Sequence, residues 1–333
     1  MKTKPLNNKW SGIDLLEGHA LTLAVDALYC EDVFARLDAW ASPADLAKSL
    51  NLEEDILGVV LEYVYIRTDL LKKQNTEYRC NDNYSNKTYF WSLLDQYVGA
   101  YGPNLNCIST LMHNSKDGGA LVDRMRHAQA FKNSELSGFP EMTDIVAQAG
   151  FGAVLDIGCG NAGLLTALAQ MHPQFKAWGV DSSSQMCGNA RAQIAQLNLT
   201  DRVQIYQSDA KNISAILSEK SRAQIQAIIV SSLLNEFFFK TPKPAIEWLK
   251  ELRSIFPGRI LIVADYYGKL GKNSPGATRL SLLHDFVQLL SAQGIPPSNK
   301  EGWNEIYQQA GCKLSQAIEF EDEFPRFIHF VIL

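Results

Sequence analysis

The sequence predicts an α/β protein in which a mostly parallel sheet with an antiparallel last strand follows a mainly helical region. Three observations carry that prediction. Apolar residues recur at helical spacing up to about residue 145, whereas from residue 150 short apolar runs alternate with helical segments. A literal G-x-G-x-x-G (Gly158, Gly160 and Gly163 in VLDIGCGNAGLLTAL) follows an apolar run and opens an apolar-periodic segment. The last two apolar runs, KLSQAIEF and RFIHFVIL, lie too close for a parallel crossover, which needs about a dozen residues or more. The expected domains are therefore 1–145 and 146–333.

The first region reads as three helices and a hairpin. ALTLAVDALYCEDVFARL (20–37), SPADLAKSL (42–50) and LEEDILGVVLEYVYI (52–66) carry helical periods, with Ser42 as an N-cap and Pro43 at the first helical position. LLKKQNTEYRCND (70–82) reads as two short strands around a polar turn with Asn75 at its tip. This order is a winged-helix pattern, yet Glu53, Glu54, Asp55 and Glu62 crowd the candidate recognition helix, with Arg67 the nearby cation. A phosphate backbone would be repelled, so the region is read as a dimerisation or substrate-lid element. Residues 86–148 continue mainly helical; their aromatics, Tyr89, Phe90, Trp91, Tyr97 and Tyr101, are read chiefly as core.

In the second region the strands are AVLDI (153–157), FKAWGV (175–180), VQIYQS (203–208), QAIIVSSL (226–233) and RILIVAD (259–265), with helices between them. The closing pair, 313–320 and 326–333, flanks the acidic turn EDEFP and forms an antiparallel hairpin. Composition narrows the class. A net charge of −5 over 333 residues argues against a nucleic-acid or anionic-membrane binder. No apolar run approaches the roughly 20 residues of a membrane span, and no h-region follows the first lysines. Six scattered cysteines without a C-x-x-C pair read as reduced thiols of a cytoplasmic protein.

A strand, a glycine turn and a helix suit NAD, FAD and S-adenosylmethionine (SAM) alike. Of three acidic residues at the strand ends, Asp156 and Asp209 point to SAM, whereas Asp181 suits NAD equally well. Asp156 ends the first strand two residues before Gly158. There a carboxylate would oppose a pyrophosphate, whereas it suits a sulfonium and an ammonium. Asp181, in GVDSS, ends the second strand, where it can accept from ribose hydroxyls. Asp209, in QSDAK after the third strand, can accept from the adenine amine beside Ala210.

With LDIGCGNAG, GVDSS, QSDA and the strand-four exit SSLLNEF in these places, the chain resembles SAM-dependent class I methyltransferases that carry an N-terminal winged-helix dimerisation domain. The resemblance covers nearly the whole chain. It implies a Rossmann-like sheet, a homodimer, a small-molecule acceptor in specialised metabolism, and cofactor contacts from Asp156, Gly158, Gly160, Asp181, Ser182, Asp209, Ala210 and Ser231. RHAQAF (126–131), the dipeptide after strand four, and LLHDF (282–286) followed by AQGIPP and EGWNEIYQQAGC are similar to C-methyltransferases of 2-oxo acids, of the phenylpyruvate and 2-ketoarginine types. These methylate the carbon beside the keto group. The positions carried over are Arg126, Asn235, Glu236 and His284. Asn235, Glu236 and His284 are the implied ligands of a divalent metal, but the chain has Asn235–Glu236 where that group has histidine–aspartate. Methylation of an oxygen or nitrogen of a natural-product scaffold is the alternative.

For a 2-oxo acid, Arg126 would clasp the carboxylate, Asn235 or a metal would hold the enolate oxygen, and His284 or Glu236 would take the proton. Arg126 also has local partners in Asp123 and Glu135. His127 reads as structural, His113 and His19 as surface or domain-interface residues, and His329, alternating in the last strand, as core.

Overall fold

The structure, a computed structural model, describes residues 9–85, 88–132, 139–271, 276–320 and 324–333. The chain forms two compact units, Met1–Pro103 with Asp123–Ser134, and Asn104–Val122 with Glu135–Leu333.

The first unit opens with α1 (Gly12–Cys30), capped by a reciprocal pair: Asp14 N donates to Ser11 Oγ and Ser11 N to Asp14 Oδ2. The helix expected over 20–37 is two helices, because Asp32 adopts φ +57° and separates α1 from α2 (Val33–Arg36). Aspartate is among the few residues that tolerate this left-handed conformation. α3 (Pro43–Leu50) carries the expected cap, with Asp45 N donating to Ser42 Oγ at 3.1 Å. α4 (Glu54–Arg67) then leads into β1 (Leu71–Gln74) and β2 (Glu77–Cys80), paired antiparallel about Asn75 at φ +53°. Leu28, Val33, Leu37, Leu61 and Val64 bury the faces these elements share. After Thr88–Leu94 the helix widens to a π-helix over Asp95–Ala100.

The second unit holds β3 (Ala153–Ile157), β4 (Lys176–Asp181), β5 (Val203–Gln207), β6 (Ala227–Ser231) and β7 (Ile260–Tyr266). They are joined by β8 (Lys313–Phe320) and β9 (Arg326–Ile332). The sheet order is β5-β4-β3-β6-β7-β9-β8. The first five strands are parallel, and β9 inserts between β7 and β8 antiparallel to both, as the short connection required. Residues 321–323 of that connection lie outside the described residues.

Helices cover both faces of the sheet, which is why β3 is buried along its whole length and reads as a continuous apolar run. Leu155, Ile157, Val230 and Val263 pack towards Leu249, Trp303 and Tyr307, whereas Val154, Ile229 and Ile262 pack towards Leu165, Leu168 and Ile194. The chain leaves β3 through β4 and β5 on one side and returns to β6 on the other. That reversal opens a crevice outside the carboxyl ends of the strands, where α/β sheets bind ligands. His329 is core, as expected: its two ring nitrogens meet Tyr307 Oη at 3.1 Å and Tyr267 Oη at 3.3 Å, and burial pushes its pKa down to about 3. Among the described residues no helix is long and apolar enough to cross a membrane.

Candidate active site

The crevice begins at the glycine turn. Gly158 and Gly160 have φ of +82° and +53°, values that glycine adopts without steric cost. The turn is tied to the second strand, with Gly158 N donating to Val180 O at 2.8 Å and Gly160 N to Asp181 Oδ2 at 2.9 Å. Leu233, from the exit of β6, covers Gly158 so closely that a Cβ there would lie 3.3 Å from it.

Asp156 is 4% exposed, and among the described residues none donates a hydrogen bond to its carboxylate. Burial, with a smaller contribution from Asp181, pushes its pKa up to about 7. A buried carboxylate without a donor is costly unless a ligand supplies one. Asp181 holds the turn and its own helix together, its Oδ1 accepting from Ser183 N at 2.8 Å, while Ser182 beside it is exposed. Asp209 is exposed and caps a short 3-10 turn through Lys211 N, and the Ala210 carbonyl accepts from Trp248 Nε1 at 3.0 Å. Ser231 closes β6 opposite Ala264. The cofactor residues expected from the sequence thus stand at the carboxyl ends of β3, β4, β5 and β6 or in the turns that follow.

Beyond β6 the chain makes a 3-10 turn, Leu234–Phe237, that carries Asn235 and Glu236. Asn235 is buried; its backbone N donates to Asp265 Oδ2 at 3.0 Å and its Nδ2 to Gln288 Oε1 at 3.3 Å, while its Oδ1 has no partner among the described residues. Glu236 Oε1 accepts from Gln293 Nε2 at 2.8 Å. The helix Arg279–Leu290 presents Ser281, His284, Asp285 and Gln288 on one buried face, the spacing of a helical stripe. His284 meets the rings of Tyr266 and Phe324 edge-on, each with its centroid 4.6 Å away, and those two rings lie 5.3 Å from each other.

Three site residues were missed by the sequence reading. Asp265, near the end of β7, is 6% exposed, and burial raises its carboxyl to about 7 even though it accepts from Asn235 N and Tyr266 N. Its signal was present, since it is a fourth acid ending a strand of the same sheet. Gln288 and Gln293 carry no local signal.

Arg126 belongs to the first unit, and there its guanidinium is engaged. Nε donates to Asp95 Oδ1 at 3.0 Å and Nη2 to Asp26 Oδ1 at 2.8 Å. These are not the local partners the sequence offered. Asp123 accepts from the Arg126 backbone N instead, and Glu135 lies outside the described residues. Tyr29 Oη donates to the other oxygen of Asp95, which completes a partly buried cluster around that carboxylate.

The described residues do not fit a metal centre. Asn235 Oδ1 is one neutral oxygen, Glu236 is engaged by Gln293, and His284 packs edge-on against Tyr266 and Phe324. Among the described residues no three of His, Cys, Asp and Glu gather as a metal would require. They do fit SAM: the partnerless Asp156 carboxylate can take a cation, and the side of Gly160 where a Cβ would sit is open to within 4 Å.

Residues 154–255 match the family model of a methyltransferase domain. No curated protein matches the sequence significantly. Among solved structures, the chain is similar to the mitomycin 7-O-methyltransferase, with a TM-score of 0.75, 13% identity and 96% of each chain covered. It is similar to human N-acetylserotonin methyltransferase in complex with SAM, with a TM-score of 0.72 and 14% identity over 97% of this chain and 98% of that one. The N,N-8-amino-8-demethyl-D-riboflavin dimethyltransferase of Streptomyces davawensis aligns at a TM-score of 0.60 and 16% identity, over 96% and 99%. These identities speak for fold, and the fold is the class I methyltransferase fold preceded by a helical region, as the sequence predicted.

Proposed function

We propose that this methyltransferase transfers the methyl group of SAM to an oxygen or nitrogen of a small-molecule acceptor. The observation that carries the cofactor is Asp156, a buried carboxylate without a hydrogen-bond donor at the mouth of a left-handed glycine turn. SAM supplies a methyl group on a positive sulfur. Asp156 offers the charge its cationic end requires, the Gly158–Gly160 turn lets the backbone come close, and Asp181 and Asp209 accept from the ribose hydroxyls and the adenine amine. Ser182, Ala210 and Ser231 border the same crevice.

Transfer is an in-line displacement, so the protein's task is alignment and activation of the acceptor. The acceptor's lone pair forms the new bond to carbon, the sulfur keeps the electron pair of the broken bond, and the acceptor's proton passes to Glu236. Asn235 Oδ1, an unpartnered acceptor on the same turn, favours a substrate that brings an O–H or N–H donor. His284, packed edge-on against Tyr266 and Phe324, borders the acceptor side.

The finer reading implied by the resemblance, methylation beside the keto group of a 2-oxo acid, calls on Arg126 for the substrate carboxylate. That guanidinium is already bound by Asp26 and Asp95. A heteroatom acceptor makes no such demand, and no step needs a metal. The named neighbours include one O-methyltransferase and one dimethyltransferase of an amino-riboflavin, in keeping with either heteroatom.

The dimer belongs to the same proposal. α1 exposes Ile13, Leu16 and Leu23 and α4 exposes Ile56, Val59 and Ile66, each at least half exposed, on helices that pack together. Two adjacent apolar stripes of this kind suit a second copy of the chain, and Leu16→Glu with Val59→Glu is expected to turn a dimer into a monomer in analytical ultracentrifugation. Six unbridged cysteines support a cytoplasmic setting. The cofactor reading is tested by thermal shift with SAM and with NADH. Stabilisation by SAM alone, lost in Asp156→Asn, is the expected result, and stabilisation by NADH would overturn it.

A further inference from the structure

On the reading of the glycine turn as the SAM site, we propose that Leu233 is a specificity-determining residue that limits the group carried on the cofactor's sulfur to the size of a methyl. β3 and β6 lie side by side, with Ile157 opposite Val230, and their exits diverge into the two walls of the crevice. Leu233 joins those walls. A Cβ on Gly158 would stand 3.3 Å from Leu233 Cδ2, 3.4 Å from its Cβ and 3.5 Å from its Cδ1, so the leucine side chain lies over the glycine.

The backbone leaves Leu233 little choice of place. Ser232 before it adopts φ +50°, a left-handed conformation that a serine holds only where its surroundings impose it. Ser232 N donates to Ala264 O at 2.8 Å, and the Leu233 carbonyl accepts from Glu236 N at 3.0 Å. The core does not account for the side chain. Leu234 is fully buried and fills the core, whereas Leu233 stays half-buried at its edge.

Position decides what Leu233 meets. The residues expected to hold the cofactor end at Ser231 on this strand, those of the acceptor side begin at Asn235, and the transferred carbon passes between the two. Leu233 stands midway along that stretch, and it is apolar where Ser231, Ser232, Asn235 and Glu236 are polar. A branched apolar side chain offers a sulfonium neither charge nor hydrogen bond. What it offers is bulk, which excludes water from the carbon under attack and fills the space that a longer chain on sulfur would need.

The test is isothermal titration calorimetry of the full chain with SAM, with its S-allyl analogue and with S-adenosylhomocysteine, which carries no transferable group. Wild type is expected to bind SAM at least about tenfold more tightly than the S-allyl analogue, the discrimination that a surplus carbon meets in a packed apolar pocket. Leu233→Ala removes Cγ and both Cδ carbons and is expected to reduce that preference about tenfold or more. Leu233→Val should reduce it less, and Leu233→Met, of similar volume, should keep it. S-adenosylhomocysteine is expected to bind every variant as it binds wild type, which separates a change in size limit from a damaged fold. An unchanged preference in Leu233→Ala and Leu233→Val, with S-adenosylhomocysteine bound as in wild type, would overturn the role of Leu233 and leave the SAM site in place. Equal loss of affinity for all three ligands in those two variants would make Leu233 a prop of the glycine turn and overturn it as well. Failure of the wild type to bind SAM or S-adenosylhomocysteine would remove the cofactor reading, and the role of Leu233 with it.

Discussion

Lowering the pH from 8 to 6 is expected to weaken SAM binding about tenfold, and Asp156→Asn is expected to abolish that pH dependence. The magnitude follows from the strand end. Burial raises the Asp156 carboxyl from 3.8 to about 7, which corresponds to about 4 kcal/mol of preference for the neutral form. Between those values the folded chain keeps a proton that the unfolded chain releases. The stability from this group is therefore complete below 3.8 and falls as the pH rises towards 7. A cationic ligand reverses the preference, so binding below pH 7 must expel one proton, at up to about tenfold in affinity per pH unit. Isothermal titration calorimetry with SAM at pH 6, 7 and 8, in buffers of different ionisation heat, measures both the affinity and the proton released. The variant carries the ligand's own titration, so the difference between the two proteins isolates Asp156. Equal pH profiles for wild type and Asp156→Asn would refute the reasoning, because they would mean that the carboxylate is not the group the cofactor's charge meets.

Three other outcomes follow from the same structure. The His329 imidazole is held neutral in the core, its pKa lowered from 6.5 to about 3. Its contribution is complete above 6.5 and is lost as the pH falls, by up to about 5 kcal/mol at pH 3; urea titrations of wild type and His329→Phe should converge in stability as the pH drops. Arg126→Leu leaves the buried Asp95 and the partly exposed Asp26 without their cation and should cost about 3 kcal/mol in denaturant unfolding, while the preference among acceptors stays as it was. A change in selectivity between 2-oxo acids and phenols would instead restore Arg126 as a carboxylate clasp. Gly294→Ala should cost about 2 kcal/mol, because the residue is left-handed and a Cβ would meet the Phe238 carbonyl; unchanged thermal stability would contradict that packing.

The sheet was legible because parallel strands covered on both faces must be apolar throughout, and each of the first three ends in an acid that the register brings to one edge. The closing hairpin followed from connection length alone. Helix ends were less legible. Nothing in ALTLAVDALYCEDVFARL marks Asp32 as left-handed, and nothing around Asp95 announces a π-helix, because both are decided by what packs around them. The residues expected to hold the cofactor could be placed for the same reason as the strands: they sit at strand ends. The acceptor side was only partly so. Asn235 and Glu236 follow β6 directly, but their restraints come from Gln288 and Gln293, 53 and 57 residues away. Arg126 finds Asp26 at a separation of 100 residues rather than the acids beside it in sequence. Such pairings exist only once the chain has folded.

The central claim is that the methyl group of SAM goes to an oxygen or nitrogen of a small molecule. SAM carrying a 13C methyl, incubated with the protein and a panel of phenols, amines and 2-oxo acids, with and without divalent metal, tests it directly through the chemical shift of the transferred carbon. The account predicts methoxy or N-methyl signals that need no metal and that fall sharply in Glu236→Gln. A methyl signal on the carbon beside a keto group would contradict it, and would return the 2-oxo acid and Arg126 to the centre of the site.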